Sequence, residues 1–233
     1  MTILSRQTVS DAVDPAGWRL VLGRLETGVR VGSLGDAAEV AAALAAEVGD
    51  LGAHLDVRLA ADRVDLSIGT PGTVRPTAPD LDLAVALSAV VAGLGRTCEP
   101  GLGEAWVTQT LELAVDALDI PAVRPFWAAV LGYVDELPDG DPAGGLVDPR
   151  GQGPSVWFQQ MDAERPQRNR LHLDISVPHD ERADRVAATL AAGGVLLSDA
   201  AAPAFWILAD VEGNEVCVCT WQGRDAQEEK VSG

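Results

Sequence analysis

Two histidines stand where proton-transfer chemistry could be done. His54 lies in the stretch GAHLDVR (52–58) and is the only histidine among the first 171 residues. Imidazole titrates near neutral pH, so it can take up or release a proton during a reaction at that pH. Asp80, in Thr77-Ala78-Pro79-Asp80, supplies a carboxylate in the same half of the chain. Ordinary structural roles also suit both: His54 bonding at a turn beside Asp56, and Asp80 capping a helix N-terminus, where negative charge is favourable. The second histidine, His172, sits in NRLHLDISV (169–177). Strand alternation puts His172, Asp174 and Ser176 on one face and Leu171, Leu173, Ile175 and Val177 on the other. The same parity sets Glu112, Ala114 and Asp116 against Leu111, Leu113 and Val115, and Glu215, Cys217 and Cys219 against Val216 and Val218. The polar faces are expected to line a site, with Trp157, Phe205 and Trp206 adding aromatic surface or packing in the core.

These residues need elements to hold them. Residues 36–49, DAAEVAAALAAEVG, form an alanine-rich helix. Arg63 to Ile68 alternates polar and apolar as a half-buried strand does. Thr77 and Asp80 have the spacing of a capping box before the helical run LDLAVALSAVVAGL. A short N-terminal helix and the weakly alternating LETGVRVGS complete a small α+β unit over residues 1–96. The turn-rich stretch 97–109 reads as a linker. From residue 110 to 222 a unit of strand, helix and three strands occurs twice, an internal duplication. Its first copy has the strand LELAVDA, a helix from Ile120 to Leu131 ending at Gly132, and strands near 133–137 and 155–161. The second has LHLDISV, the helical HDERADRVAATLAAGG, and strands near 194–197, 204–209 and 214–221. PAGGLVD (142–148) reads as a hairpin or loop. Residues 223–233 are a polar tail that frays.

The chain of 233 residues carries a net charge of −18, and Lys230 is its single lysine. Such a field repels phosphate backbones and anionic lipids, so nucleic acid and membrane surfaces are not expected partners. The three arginines Arg165, Arg168 and Arg170 read as a solvated loop. The N-terminus lacks the pattern of a signal peptide, and the apolar run 81–95 is interrupted by Asp82 and too short to span a bilayer. A cytoplasmic location follows as an expectation. Cys98, Cys217 and Cys219 show no framework spacing and read as reduced thiols. A small-molecule metabolite is the expected partner, with a homodimer as one possible assembly.

Residues 1–95 resemble the pterin-4a-carbinolamine dehydratases. The resemblance rests on a Leu-Ser opening, Gly17-Trp18, the long helix, the turn with His54, the strand after it, and Asp80 at the start of the last helix. It implies dehydration of a hydroxylated tetrahydropterin by acid–base chemistry, with paired histidines followed by proline and a later Thr-His. In this chain those positions fall on Ala53, His54, Leu55 and Thr70-Pro71. Removing water from a carbinolamine requires a base for the N–H proton and an acid for the leaving hydroxyl. Neither alanine nor proline does either, so the resemblance implies an eroded site reduced to His54 and Asp80.

Residues 111–221 resemble the glyoxalase and vicinal-oxygen-chelate superfamily. Asp119 leading PFWAAVLGY (125–133), NRLHLDISV (169–177) and ADVEGNEVCV (209–218), with Val211 where proline is usual, carry the likeness. It implies paired βαβββ modules forming a cupped sheet, and in metal-dependent members one ligand on each of four strands. Those positions fall on Glu112, Gln159, His172 and Cys217, a set suited to Zn²⁺ or a similar divalent metal. Many glyoxalase-like domains hold no metal, and then His172 bonds a neighbouring group and Cys217 is a small buried hydrophobe.

The expectation is a glyoxalase-like small-molecule-binding protein or lyase with a degenerate dehydratase-like N-terminal domain. Pocket residues are Glu112, Trp157, Gln159, Asp174 and Trp206, with His172 catalytic. One alternative is a 4a-hydroxytetrahydrobiopterin dehydratase acting through His54 and Asp80. Another is a non-catalytic binding or scaffolding protein.

Overall fold

The computed structural model describes residues 4–73, 75–101, 106–137, 140–164, 171 and 173–222. His172, Arg165, Arg168, Arg170 and the tail 223–233 lie outside the described residues. The chain divides into two compact units, residues 1–110 and 111–233.

The first unit begins with α1 (Arg6–Val13), whose N-terminal Ser5 hydroxyl accepts the amide of Thr8 at 3.1 Å. The strands β1 (Arg19–Val21) and β2 (Arg24–Arg30) precede α2 (Leu34–Glu47). A 3-10 turn over Gly49–His54 then leads into β3 (Leu55–Leu59), β4 (Arg63–Ile68), α3 (Ala78–Gly93) and β5 (Cys98–Glu99). The strands pair antiparallel in the order β1-β2-β4-β3, with β5 also against β2. In β4, Val64, Leu66 and Ile68 are buried while Arg63, Asp65 and Ser67 face outward, as the alternation requires. The helices cover the apolar face, and the core between them holds Trp18, Leu25, Val29, Leu44 and Leu87. Trp18 is buried with its indole N–H donated to Ser88 at 2.8 Å. Gly17 makes that placement possible. Its φ is +85°, and a Cβ there would lie 2.1 Å from the carbonyl oxygen of Cys98.

The stretch expected to be a linker is instead part of this unit. β1 occupies the edge of β2 only along Arg24–Glu26, and β5 takes the vacant half by pairing Glu99 with Gly28 and Cys98 with Val29. Cys98 is buried in the core. Trp106 lies against Gly28 and Gly101, and the Arg30 guanidinium stacks 4.7 Å from its ring centroid. A two-residue strand among turn residues has too little periodicity to register in the sequence.

The second unit repeats one pattern. The strand β6 (Glu112–Ala117), α4 (Ile120–Leu131), β7 (Val134–Asp135), β8 (Leu146–Val147) and β9 (Ser155–Gln160) form the first module. The second is β10 (Leu173–Ser176), α5 (Arg182–Ala191), β11 (Val195–Ser198), β12 (Phe205–Ala209) and β13 (Glu215–Cys219). In each module the first strand pairs parallel with the last, giving sheets β6-β9-β8-β7 and β10-β13-β12-β11. These βαβββ modules and the antiparallel first unit make the chain an α+β protein.

Local signals fix α4. The Asp119 carboxylate accepts the amide of Ala122 at 3.1 Å, and Gly132 ends the helix at φ 71°. Two carboxylates join the modules. Glu212 accepts the amides of Leu118 and Asp119 at 2.8 and 2.7 Å, and buried Asp210 accepts the indole N–H of Trp127 at 3.1 Å. Asp210 also takes the amides of Glu212 and Asn214 at 3.0 and 2.9 Å and the Asn214 side-chain amide at 2.8 Å. The conspicuous ADVEGNE stretch thus builds a turn that anchors α4. Among the described residues no helix is long and apolar enough to cross a membrane.

Candidate functional site

Each unit brings chemistry-bearing side chains together. In the first, the 3-10 turn delivers His54 and the N-terminus of α3 delivers Asp80. His54 Nδ1 lies 2.7 Å from Asp80 Oδ1. The other oxygen, Oδ2, accepts the Thr77 amide at 2.6 Å, its hydroxyl at 2.9 Å and the Thr70 hydroxyl at 2.7 Å. The Thr77 amide bond to the Asp80 carboxylate is one half of a capping box, and the Asp80 amide facing the Thr77 side chain is the other. Asp80 is fully buried. Burial raises its pKa, but the bonds from His54, Thr70 and Thr77 outweigh it and hold the carboxyl below its ordinary value.

An ionised carboxylate only accepts, so Nδ1 of His54 carries a proton, and in the neutral ring Nε2 presents a lone pair. The His54 side chain is 16% exposed. The arrangement is a carboxylate-oriented imidazole able to act as one general base. Asp80, held ionised, supplies no acid.

In the second unit the two faces of each sheet divide as alternation predicts. Leu113, Val115, Val156, Phe158, Leu173, Ile175, Val216 and Val218 pack with Phe126, Trp127 and Val130 of α4. On the opposite face of the first sheet, Glu112, Ala114 and Asp116 lie in register beside Ser155, Trp157 and Gln159. Trp157 is 41% exposed although it sits mid-strand, and Glu112 and Gln159 are exposed beside it. The Ser155 hydroxyl reaches Glu112 at 3.5 Å. Glu136, after β7, adds a carboxylate that carries no motif. Partial burial, then the charge of Glu112, raises its pKa.

The second sheet sets Asp174 beside Cys217 and Ser176 beside Cys219. Cys217 is buried, and its thiol is pushed up to about 12 by that burial and by donating to Asp174. It is therefore a protonated thiol at neutral pH. Among the described residues no group of three or more His, Cys, Asp or Glu side chains is arranged to hold a metal. Of the expected donor set, Glu112, Gln159 and Cys217 are among the described residues, and His172 lies outside them.

Trp206, expected in the pocket, belongs to the core. It is 8% exposed, packs with the α4 cluster and is covered by the Arg182 guanidinium 4.6 Å from its ring centroid. The strand FWILA is apolar throughout, so alternation alone could not say which residues face the helix.

The family model described as glyoxalase-like domain matches residues 112–219. Residues 112–219 are a glyoxalase-like domain. Solved structures resemble this domain at low identity. A glyoxalase-related enzyme from Fulvimarina pelagi is 20% identical, with 49% of this chain and 88% of that one covered and a TM-score of 0.37. A glyoxalase/bleomycin resistance protein/dioxygenase family enzyme from Burkholderia phytofirmans PsJN is 17% identical, covering 47% and 95%, with a TM-score of 0.35. The fosfomycin resistance protein FosX from Listeria monocytogenes is 9% identical, covering 53% and 98%, with a TM-score of 0.40. No curated protein matches the chain. The glyoxalase-like domain holds Glu112, Trp157, Gln159, Asp174 and Cys217, and leaves Trp206 to its core.

Proposed function

We propose that the glyoxalase-like domain binds a small organic metabolite on the open face of its first sheet, while the first unit is a degenerate dehydratase-like module. Trp157 carries this reading. A large aromatic side chain left 41% exposed in the middle of a strand, flanked by Glu112 and Gln159, is a platform for an apolar or planar group. Glu112 and Glu136 supply two carboxyl groups for polar contact or proton transfer to the bound molecule. The test is a thermal-shift screen of the full chain against pterins and thiol adducts of dicarbonyls, repeated with Trp157→Ala. A ligand that binds the folded state raises the melting temperature, and Trp157→Ala abolishes the rise. A stabilising ligand whose effect survives the substitution overturns the proposal.

A second reading rests on the 2.7 Å contact of His54 with Asp80. In it the first unit dehydrates 4a-hydroxytetrahydrobiopterin, His54 Nε2 taking the N–H proton as hydroxide departs. The leaving hydroxyl needs a proton that ionised Asp80 does not carry, so solvent must provide it. A dehydratase assay of the full chain against His54→Ala separates the two readings: activity lost with His54 supports the second, and absence of activity in both removes it.

A further inference from the structure

We propose that the first-sheet face takes an organic cation, an ammonium group on an apolar or aromatic body, held over the Trp157 indole with its charge against Glu136 and Glu112. The proposal rests on the reading of that face as the binding site and names the class of molecule bound there. Four residues form one row across the sheet. Ala114 pairs with Trp157, and β8 meets β9 at Leu146 and Val156, so one step further along that antiparallel pair Gly145 stands beside Trp157. Asp135 pairs with Leu146, and the Glu136 amide donates to the Gly145 carbonyl at 3.1 Å, which puts Glu136 at the end of the row. Alternation gives all four positions the same face.

The row accounts for the open indole. Its two neighbours, Ala114 and Gly145, are too small to cover a ring. At Gly145 the Glu136 carboxylate takes the place of a side chain: a Cβ there would lie 2.5 Å from Glu136 Oε2. Glu136 therefore lies along the sheet over the residue next to Trp157. Glu112, one row away beside Ser155, is near enough for its negative charge to act on Glu136. The glycine pair of PAGGLVD thus makes room for a carboxylate at the edge of an aromatic platform.

Two carboxyl groups beside an exposed indole favour a positive partner, and the sheet does not supply one. The strands β6, β7, β8 and β9 contain no arginine or lysine. Asp135, next in sequence to Glu136, has the Arg124 guanidinium at 2.6 Å, but on the opposite side of the sheet, where α4 packs with Leu146. Among the described residues no cationic side chain pairs with Glu136 or Glu112. A cation set over a tryptophan face is attracted by the ring quadrupole, more strongly as water is displaced. The indole also selects an organic cation over a metal ion, since only the former has apolar surface to bury there.

NMR titration of the full chain with benzyltrimethylammonium tests the proposal, with benzyl alcohol and phenylacetate as neutral and anionic probes of similar size. The Trp157 indole N–H signal, identified by its loss in Trp157→Ala, is expected to move with the cation, which binds at least about fivefold more tightly than either other probe. Trp157→Ala weakens cation binding, read from the amides of Ala114 and Gly145, at least about fivefold. Glu136→Gln and Glu112→Gln each weaken it about two- to fivefold. Gly145→Ala keeps every charge, requires no left-handed backbone and pushes the Glu136 carboxylate aside, so it weakens binding as Glu136→Gln does. Retained backbone spectra show that each variant is folded. Cation binding that survives Trp157→Ala, or that Glu136→Gln, Glu112→Gln and Gly145→Ala all leave unchanged, overturns the proposal in favour of diffuse attraction to an acidic chain. If benzyl alcohol or phenylacetate binds through Trp157 as tightly as the cation, the face is a binding site and the cation is wrong. If none of the three probes moves the Trp157 signal, the reading of the face fails with the proposal.

Discussion

The carboxylate of Asp80 ties a turn, a strand end and a helix start together, so its removal should be felt as stability before it is felt as function. Asp80→Ala leaves the Thr77 amide and His54 Nδ1 without their acceptor, while the Thr70 and Thr77 hydroxyls, 2.8 Å apart, can satisfy each other. An unsatisfied buried donor costs about 1–3 kcal/mol, so two cost about 4 kcal/mol. Asp80→Asn keeps the shape but replaces charged by neutral hydrogen bonds, a loss of about 1 kcal/mol for each of two bonds, or about 2 kcal/mol together. Against a domain stability of about 5–15 kcal/mol the alanine variant is close to unfolding. Urea titration of the full chain at neutral pH, followed by circular dichroism, should show an early transition belonging to the first unit. The pH dependence has a definite sign. The folded pKa of Asp80 lies below its ordinary 3.8, so its contribution is fully present above pH 3.8 and is lost as pH falls through the lower folded value. The gap between wild type and Asp80→Asn should therefore be flat from neutral pH down to 3.8 and close only below it. An Asp80→Ala chain within 1 kcal/mol of wild type, or a gap that closes near neutrality, would refute the reasoning.

One further substitution and one modification follow. Asp210→Ala strips acceptors from Trp127, Glu212 and Asn214 at a buried site, and should cost about 3 kcal/mol or more in denaturant unfolding of that unit; a wild-type transition contradicts the anchoring role. Cys98, Cys217 and Cys219 are all buried, and the Cys217 thiol sits at about 12. At pH 8 a thiol reagent should find no fast-reacting cysteine in the native chain and all three after unfolding, whereas rapid native labelling of Cys217 would mean a thiolate the geometry does not support.

What the sequence disclosed follows how local each cause is. The limits of α4 are legible because Asp119 and Gly132 cap it within its own stretch, and β4 because its polar and apolar residues alternate cleanly. The faces of β6, β9 and β10 are legible for the same reason, since Glu112, Gln159 and Asp174 alternate with apolar neighbours. Parity says nothing where both faces are apolar, which is why Trp206 in FWILA had to be placed by the fold. The contact of His54 with Asp80 joins elements distant in sequence and was visible only as two residues of suitable type. Glu136 acquires its raised pKa from partial burial and then from the charge of Glu112 on another strand, and has no signature of its own.

The place of β5 and Trp106 bears on how the chain is made. Synthesis runs from the N-terminus, and domains fold as units while they emerge. A nascent chain that has reached Gly95 owns both long helices of the first unit, yet half the edge of β2 is bare and the core position of Cys98 is vacant. The sheet closes only when Cys98 and Glu99 have passed back along Gly28 and Val29 and Trp106 has settled over Gly28. The opening residues of the glyoxalase-like domain follow within a few codons. A pause in translation just after α3 would thus hold the first unit open, and one placed beyond Thr110 would let it close before its neighbour is begun.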